Sequence, residues 1–468
     1  MSAVRFIPRR CVETTTIFAR LVLRRYCSNH AAPGTAAKNA VPTIEFKDHR
    51  RIGAEQDLFM INELTPGSVF FLPHGTRIYS RLLEFIRAQM RVFGFEEVVS
   101  PIIYKRALWQ TSGHWEKYKD DMFEVKGRVQ PSPGAKADDE YEHQYGLKPM
   151  NCPGHCLMYG HSDKSYRDLP VRYADFSPLH RNESSTTISG LTRVRRFHQD
   201  DGHIFCRPDQ VGAEIRASLQ LVDNVYKVFG IPSYRLMLST RPDQYIGELE
   251  EWDRAESALK DALDASGQKW ELNAGDGAFY GPKIDILLCD KNNKEHQAAT
   301  IQLDFQLPQR FNLTYKGDDD TMNHRPVMIH RAVFGSLERF MAILIEQNQG
   351  KWPLWLSPRQ VMIVPVAERH AKYASKAQEL LSGIPQSQQS EVLPLGSQTL
   401  YVDVDARSTT MSSRLREAIT KGYTYLGVVG DKEAEEGTIA LRKASGKPTT
   451  MLLADARASL LDEVAHYS

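Results

Sequence analysis

Apolar residues recur at helical spacing through TRIYSRLLEFIRAQMRVFGF (76–95), at Ile78, Leu82, Phe85, Ile86, Met90 and Phe93, which predicts an amphipathic helix. EEVVSPIIY follows and reads as a strand interrupted at Pro101, as suits an edge or a strand end. QVGAEIRASLQLVDNVYKVFG (210–230) predicts a second amphipathic helix ending at Gly230. IDILLCD (284–290) and ATIQLDF (299–305) read as strands, the second alternating polar and apolar. GRVQPSPGAKADDEYEHQ (127–144) has no apolar period and predicts a surface loop.

Past the proline-rich stretch KWPLWLSP (351–358) the pattern changes. Strand VMIVPV, helix RHAKYASKAQELL, strand LYVDVDA, helix MSSRLREAITKG and strand YTYLGVVGD alternate, which predicts a separate α/β domain with a partly parallel sheet. The earlier region, with strands and long helices in blocks, predicts an α+β domain on a mostly antiparallel sheet. The expected division is a leader and linker over 1–45, a first domain over 46–355 and a second over 356–468.

Composition narrows this picture only slightly. The 468 residues are 41% hydrophobic and 25% charged, ordinary for a globular protein, with a formal net charge of +1. That balance predicts no polyanionic partner by itself, so any nucleic-acid contact must come from local patches. No stretch approaches the roughly 18 uninterrupted apolar residues that span a bilayer, so no membrane segment is predicted.

The first thirty residues differ from the rest. They hold Arg5, Arg9, Arg10, Arg20, Arg24 and Arg25 against one acid, Glu13, and are rich in hydroxyl side chains. This is the composition of a mitochondrial transit peptide and predicts a matrix protein. Cys11 and Cys27 lie in that leader; Cys152, Cys156, Cys206 and Cys289 remain, and are not spaced as a disulfide framework.

The stretch MNCPGHC (150–156) packs two cysteines and a histidine into seven positions. Cys152, His155 and Cys156 could form half of a structural zinc site, but no second short-spaced pair follows. The spacing is Cys-x-x-x-Cys, not the Cys-x-x-Cys of a thioredoxin-like pair. The local reading is that Pro153–Gly154 turns the chain and presents one of these side chains to a site. RRFHQDDGHIF (195–205) and VMIHRAVFGSLERF (327–340) offer histidines beside apolar runs. One cysteine and two histidines from three distant segments would match a catalytic zinc with an exchangeable position. FSPLHRNESS (176–185) and the returning LTRVRRF (191–197) put arginines on a hairpin, where guanidinium groups suit phosphate. No Gly-x-x-x-x-Gly-Lys-Ser/Thr loop occurs, so nucleotide binding here does not use a P-loop.

Together these stretches resemble the class II aminoacyl-tRNA synthetases. FSPLHRNE with RVRRF resembles motif 2, FGSLERF resembles motif 3, and the helix over 76–93 running into EEVVSP resembles motif 1, the dimer element. KPMNCPGH, RFHQDDGHIF, STRPD, GDGAFYGPKID, TIQLDFQLP and MIHRAVFGS narrow the resemblance to the threonyl-tRNA synthetases, in order over roughly 56–465. With its leader the chain resembles their compact, mitochondrial fungal layout. The resemblance implies a class II catalytic domain followed by an anticodon-binding domain, and a homodimer that joins threonine to its tRNA with ATP.

Carried to this sequence, the resemblance implies one zinc per chain on Cys152, His203 and His330, binding the amine and hydroxyl of threonine. Asp201 would accept a hydrogen bond from that hydroxyl, Tyr280 and Gln302 would hold the amino acid, and Met150 would line the pocket. Arg181 would meet the α-phosphate of ATP, with Arg193 and Arg339 at the γ end and Mg²⁺ bridging phosphates. Phe197 and Arg339 would sandwich adenine, Glu183 would contact its amino group, and Lys283 would lie near the reacting carboxylate. His114, in SGHWEKY, would lie near the tRNA end.

Two modules of bacterial-type members, a ubiquitin-like module and a large editing domain, have no counterpart between the leader and QDLFMINELTPGSVFFLPHG. The alternative reading, a catalytically silent paralogue that only binds RNA, predicts lost ligands or lost motif arginines, yet all are present.

Overall fold

The computed structural model describes residues 47–126, 144–231, 233–289, 295–319, 321, 324–385 and 392–467. The expected leader over 1–45 and all but the last residue of the expected loop over 127–144 lie outside them.

Helix α1 (Pro73–Val92) starts on a proline, whose fixed φ and missing N–H suit a first turn. It buries Ile78, Leu82, Phe85, Ile86 and Met90 along one stripe. Each such side chain contributes about 1.5–3 kcal/mol. The stripe packs into a core shared with α3 (Val211–Val228), α4 (Leu249–Ser266) and α5 (Leu337–Asn348).

That core covers one face of an eight-stranded sheet. In chain order its strands are β1 (Glu96–Val98), β2 (Val171–Asp175), β3 (Asp201–Cys206), β4 (Tyr234–Ser239), β5 (Trp270–Asn273), β6 (Lys283–Cys289), β7 (Glu295–Asp304) and β8 (Val327–Ala332). Across the sheet they run β5-β4-β6-β7-β8-β3-β2-β1. Only the outermost pairs, β5 with β4 and β2 with β1, are parallel. The antiparallel α+β expectation for this region is met.

Register explains how the sheet carries chemistry. Lys283 faces Gln302, Gln302 faces His330, and His330 faces His203, so four adjacent strands contribute one polar residue each to a single row. Directly opposed residues share a face. Their neighbours Ile284, Ile301, Ile329 and Ile204 point to the other face and join the helical core. On the polar-row side lies α2 (Cys152–Tyr159), anchored by Cys156, Tyr159, Phe205, Leu307 and Met328.

Helix α2 corrects one expectation. CPGH is the first turn of a helix with proline at its start, not a chain reversal. Gly154 serves a close approach: a Cβ there would sit 2.5 Å from Oη of Tyr104.

Beyond residue 358 a five-stranded sheet runs β10-β9-β11-β12-β13, from β9 (Val361–Pro365), β10 (Val402–Val404), β11 (Tyr425–Val429), β12 (Thr438–Lys443) and β13 (Thr449–Leu452). Its first three strands pair in parallel and its last three antiparallel. Helices α6 (Ala371–Ser382) and α8 (Leu453–Ala465) cover one face through Val361 and Ile363, while α7 (Met411–Thr420) covers the other through Met362 and Val364. The stretch between the two sheets is not a loose tether. Trp352, Trp355 and Leu356 are buried, and the Arg359 guanidinium donates to the carbonyls of Gln56 and Lys421 and pairs with Asp57.

Candidate active site

Above the polar row lies a cavity of about 340 Å³, with Cys152, His203 and His330 at one end and Arg181, Phe197 and Arg339 among its other lining residues. Met150, Glu183, Arg193, Asp201, Tyr280, Lys283 and Gln302 also line it. Of the site residues that the family resemblance implies, only His114 is not in the lining. It is buried behind Cys152, its Nε2 4.0 Å from the thiol sulfur and its Nδ1 2.8 Å from Oγ of Ser112. Burial lowers its pKa to about 4, so the ring is neutral.

The cysteine and the two histidines are all buried, and their ligand atoms lie within 4.8 Å of one another. Among the described residues they are the only such group of three or more donors. Nε2 of His203 and Nδ1 of His330 are 2.9 Å apart. Two nitrogens bound to one tetrahedral zinc stand about 3.3 Å apart, so the pair needs little adjustment. Nε2 of His330 lies 2.8 Å from Oδ2 of Asp304, a carboxylate that orients the ring from behind. Without a cation, burial raises the Cys152 thiol and holds His203 well below its ordinary value, so both of these donors are neutral. A dication reverses that preference for the thiol. With the cavity open in front, the donor set fits a zinc with an exchangeable position.

Polar groups beside the trio are held in turn. Asn151, just ahead of α2, donates from Nδ2 to Asp201 at 2.9 Å. Burial raises the Asp201 carboxyl, against the pull of His155, Asn151 and His330. Tyr280 donates from Oη to Gln302 Oε1 at 3.1 Å, and Gln302 donates to the Gly281 carbonyl. Lys283 pairs with Asp285 at 2.7 Å.

Toward the other end, the Arg181 guanidinium lies 5.1 Å from the Phe197 ring centre. Arg339 donates to the carbonyls of Thr192 and Gln297, both at 3.1 Å. Burial, with Arg181 and Arg193 nearby, lowers its pKa. Arg193 and Glu183 pair with each other at 2.8 Å. The cavity thus has a cysteine–histidine end whose donors fit a metal, a cationic end with an aromatic face, and a lysine between them. Such a site suits a small amine-bearing acid at one end and a nucleoside polyphosphate at the other.

Sequence reasoning passed over Asn151, Asp175, Asp304 and the backbone carbonyls that fix Arg339. Asp304 had a signal: it stands two residues after Gln302 in an alternating strand, hence on the same face.

The family description "tRNA synthetase class II core domain (G, H, P, S and T)" matches residues 134–348, and "Anticodon binding domain" matches 360–462. The chain is 50% identical over 86% of its length to the protein named "Probable threonine--tRNA ligase, mitochondrial" in Schizosaccharomyces pombe, covering 85% of that protein. It is 48% identical to the mitochondrial threonine–tRNA ligase of Saccharomyces cerevisiae, over 88% of this chain and 92% of that one. A crystal structure titled as the RNA-binding domain of threonyl-tRNA synthetase from Cryptosporidium parvum superposes with a TM-score of 0.81 at 42% identity, over 89% of this chain and 98% of that one. With identity this high across nearly the whole of both fungal relatives, and a cavity of the matching chemistry, the chain belongs to the threonine–tRNA ligases of class II.

Proposed function

We propose that this cavity activates threonine with ATP and then passes it to the terminal ribose of a mitochondrial tRNA for threonine. The observation that carries the reading is the polar row: four neighbouring strands bring Lys283, Gln302, His330 and His203 onto the floor of one cavity.

Zinc on Cys152, His203 and His330 would supply a Lewis-acidic point that takes the threonine amine and hydroxyl together. Asp201, oriented by Asn151, accepts the hydroxyl proton as a hydrogen bond, and the Tyr280–Gln302 pair holds the amine side. Met150 closes the apolar wall. One carboxylate oxygen of threonine then attacks the α-phosphorus of ATP, a P–O bond forms, and the bond to the bridging oxygen breaks to release pyrophosphate. Arg181 and Lys283 stabilise charge on the oxygens around that phosphorus. Arg193 leaves Glu183 for the γ-phosphate, which frees Glu183 to accept from the adenine amino group. Phe197 and Arg339 hold the adenine ring, and Mg²⁺ bound with ATP would offset phosphate charge. In the second step the ribose hydroxyl attacks the carbonyl carbon of the adenylate and AMP leaves. His114, buried and neutral behind Cys152, supports the tRNA end of the site through α2.

The domain over 356–468 reads the anticodon, in keeping with the match over 360–462. Mitochondrial residence draws support from the Arg-rich leader and from the names of both fungal relatives. Exposed Ile61, Leu64, Phe70, Val92 and Val99 give the α1 region an apolar surface suited to a homodimer.

The test is ATP–pyrophosphate exchange followed by aminoacylation of mitochondrial transcripts. Threonine-dependent exchange with charging of a threonine tRNA is expected, and exchange driven by proline or serine in preference to threonine would refute the reading. For the compartment, residues 1–40 fused to a reporter should direct it to mitochondria, and a cytosolic reporter would refute that part.

A further inference from the structure

His155 follows Cys152 by three residues on α2, so the two side chains leave one face of the helix a turn apart. Its Nδ1 lies 2.7 Å from Nδ1 of His203. Its Nε2 lies 3.5 Å from Oδ2 of Asp175 and has no closed hydrogen bond elsewhere. All three side chains are buried. The longer distance is that of a loose electrostatic contact rather than a formed hydrogen bond.

One proton arrangement alone lets His203 offer Nε2 to a metal. A neutral imidazole carries a single N–H. With Nε2 serving as ligand, that proton sits on Nδ1 and can only be donated to Nδ1 of His155. The proton of His155 is then on its Nε2, facing Asp175. The reverse arrangement puts a proton on Nε2 of His203 and blocks ligation.

Asp175 selects between the two. It accepts from the backbone N–H and hydroxyl of Ser100 at 3.2 and 2.6 Å, and from the backbone N–H and hydroxyl of Ser177. The buried ammonium of Lys148 lies 3.7 Å away. Burial alone would raise this carboxyl, but the donors around it, with Lys148, hold it well below the usual carboxylate range. It is therefore an anion at neutral pH and can only accept. His330 shows the one-step form of the same device, with Asp304 on Nε2 and Nδ1 turned toward His203.

We propose that His155 and Asp175 are positioning residues for the metal: Asp175 keeps the proton of His155 on Nε2, and His155 thereby fixes His203 as an Nε2 ligand. The motif CPGH thus delivers on one rigid helical turn both a ligand and the residue that sets the tautomer of another. This inference rests on the zinc reading proposed above, and the experiment separates the two.

Purified protein is first assayed for zinc content, then mixed with excess chromogenic chelator, and the rate of zinc release is followed. Variants His155→Phe, His155→Gln and Asp175→Asn are compared, each checked for folding by circular dichroism. His155→Phe and Asp175→Asn should release zinc about 10–100-fold faster, the usual reach of such supporting partners. His155→Gln keeps an acceptor for the His203 N–H and should stay near the parent rate. Parental release from folded His155→Phe overturns the proposal, as does His155→Gln failing as badly as His155→Phe, which would mark a packing role. Should His155→Phe not fold, the near-isosteric Asp175→Asn decides: unchanged release overturns the proposal and faster release supports it. A parent protein that binds no zinc refutes the metal reading itself, and this inference with it.

Discussion

The ring of Tyr467 meets the ring of Phe85 edge-on, with 5.3 Å between their centres and their planes at 90°, and both rings also lie against Trp355. A residue at the far end of the chain therefore closes a core that begins at α1. Every side chain proposed to touch substrate or metal lies before residue 340. Deleting residues 357–468 should leave threonine-dependent ATP–pyrophosphate exchange while abolishing most tRNA charging. Uncovering these rings should cost about 2–5 kcal/mol, read as a lower melting temperature. Loss of exchange in a truncation that still folds would contradict this division of labour.

Cys152 and Cys156 test different things. Cys152→Ala should lose zinc and reduce threonine activation by about 10³-fold or more, since both the ion and its ordering of substrate go. Cys156 has no donor partner in the metal group and packs against Met328, so Cys156→Ala should cost about 1–2 kcal/mol of stability and keep the zinc. Metal analysis with exchange kinetics checks both.

Selectivity would follow from the proposed zinc. Valine lacks the hydroxyl, and its binding would leave Asp201 and the metal position unpaired, so it should be activated at least about 10⁴-fold less well than threonine. Serine loses one methyl contact, worth roughly 10–200-fold. Exchange assays with the three amino acids should give that order; valine activated as well as serine would remove the hydroxyl-reading role from this site.

The Arg339 guanidinium donates to two backbone carbonyls, which fix its plane. Arg339→Lys keeps the charge but not the plane or the fork. A fall of about 10²–10³-fold in kcat/KM for ATP is expected with little change in zinc content. Retention of activity would mean that charge alone suffices there.

Asp175 gives a pH signature. Its carboxyl is held below the unfolded value near 3.8, so its contribution to stability is complete above that pH and is lost as pH falls through the folded value. In metal-free protein, Asp175→Asn should be less stable than the parent at pH 7, and the two should converge on acidification below about pH 4. Denaturant midpoints at a series of pH values measure this, and parallel curves would show that the carboxylate is not the source.

Legibility in the sequence followed periodicity and locality. TIQLDF alternates, and it does form β7 with Gln302 on the cavity side. The helix predicted over 210–230 is α3, begun one residue later and ended two earlier, because Pro208–Gln210 form a tighter 3-10 turn first. CPGH misled because Pro-Gly is read locally as a turn, whereas proline at a helix start needs no N–H partner. The strands Thr438–Lys443 and Thr449–Leu452 and the helix after them were not anticipated from the pattern. Asp175 and His155 could not be matched in advance, since only the β2–β3 register brings Tyr173 and Asp175 beside His203 and Asp201. Arg193 and Glu183 were each assigned to a ligand, and in the structure they neutralise one another.

The three donors of the proposed metal site arrive on α2, β3 and β8, and the row beneath them needs β6 and β7 placed between β4 and β8. No local segment holds two of the donors, so no early fragment of the chain can take up the ion as a nucleus for folding. A chain arrested anywhere before position 330 has at most two donors and no closed site. On the zinc reading proposed above, metal uptake would consequently be a late event in the life of the molecule, and zinc content measured on a preparation would count the fraction of chains whose central sheet has been completed.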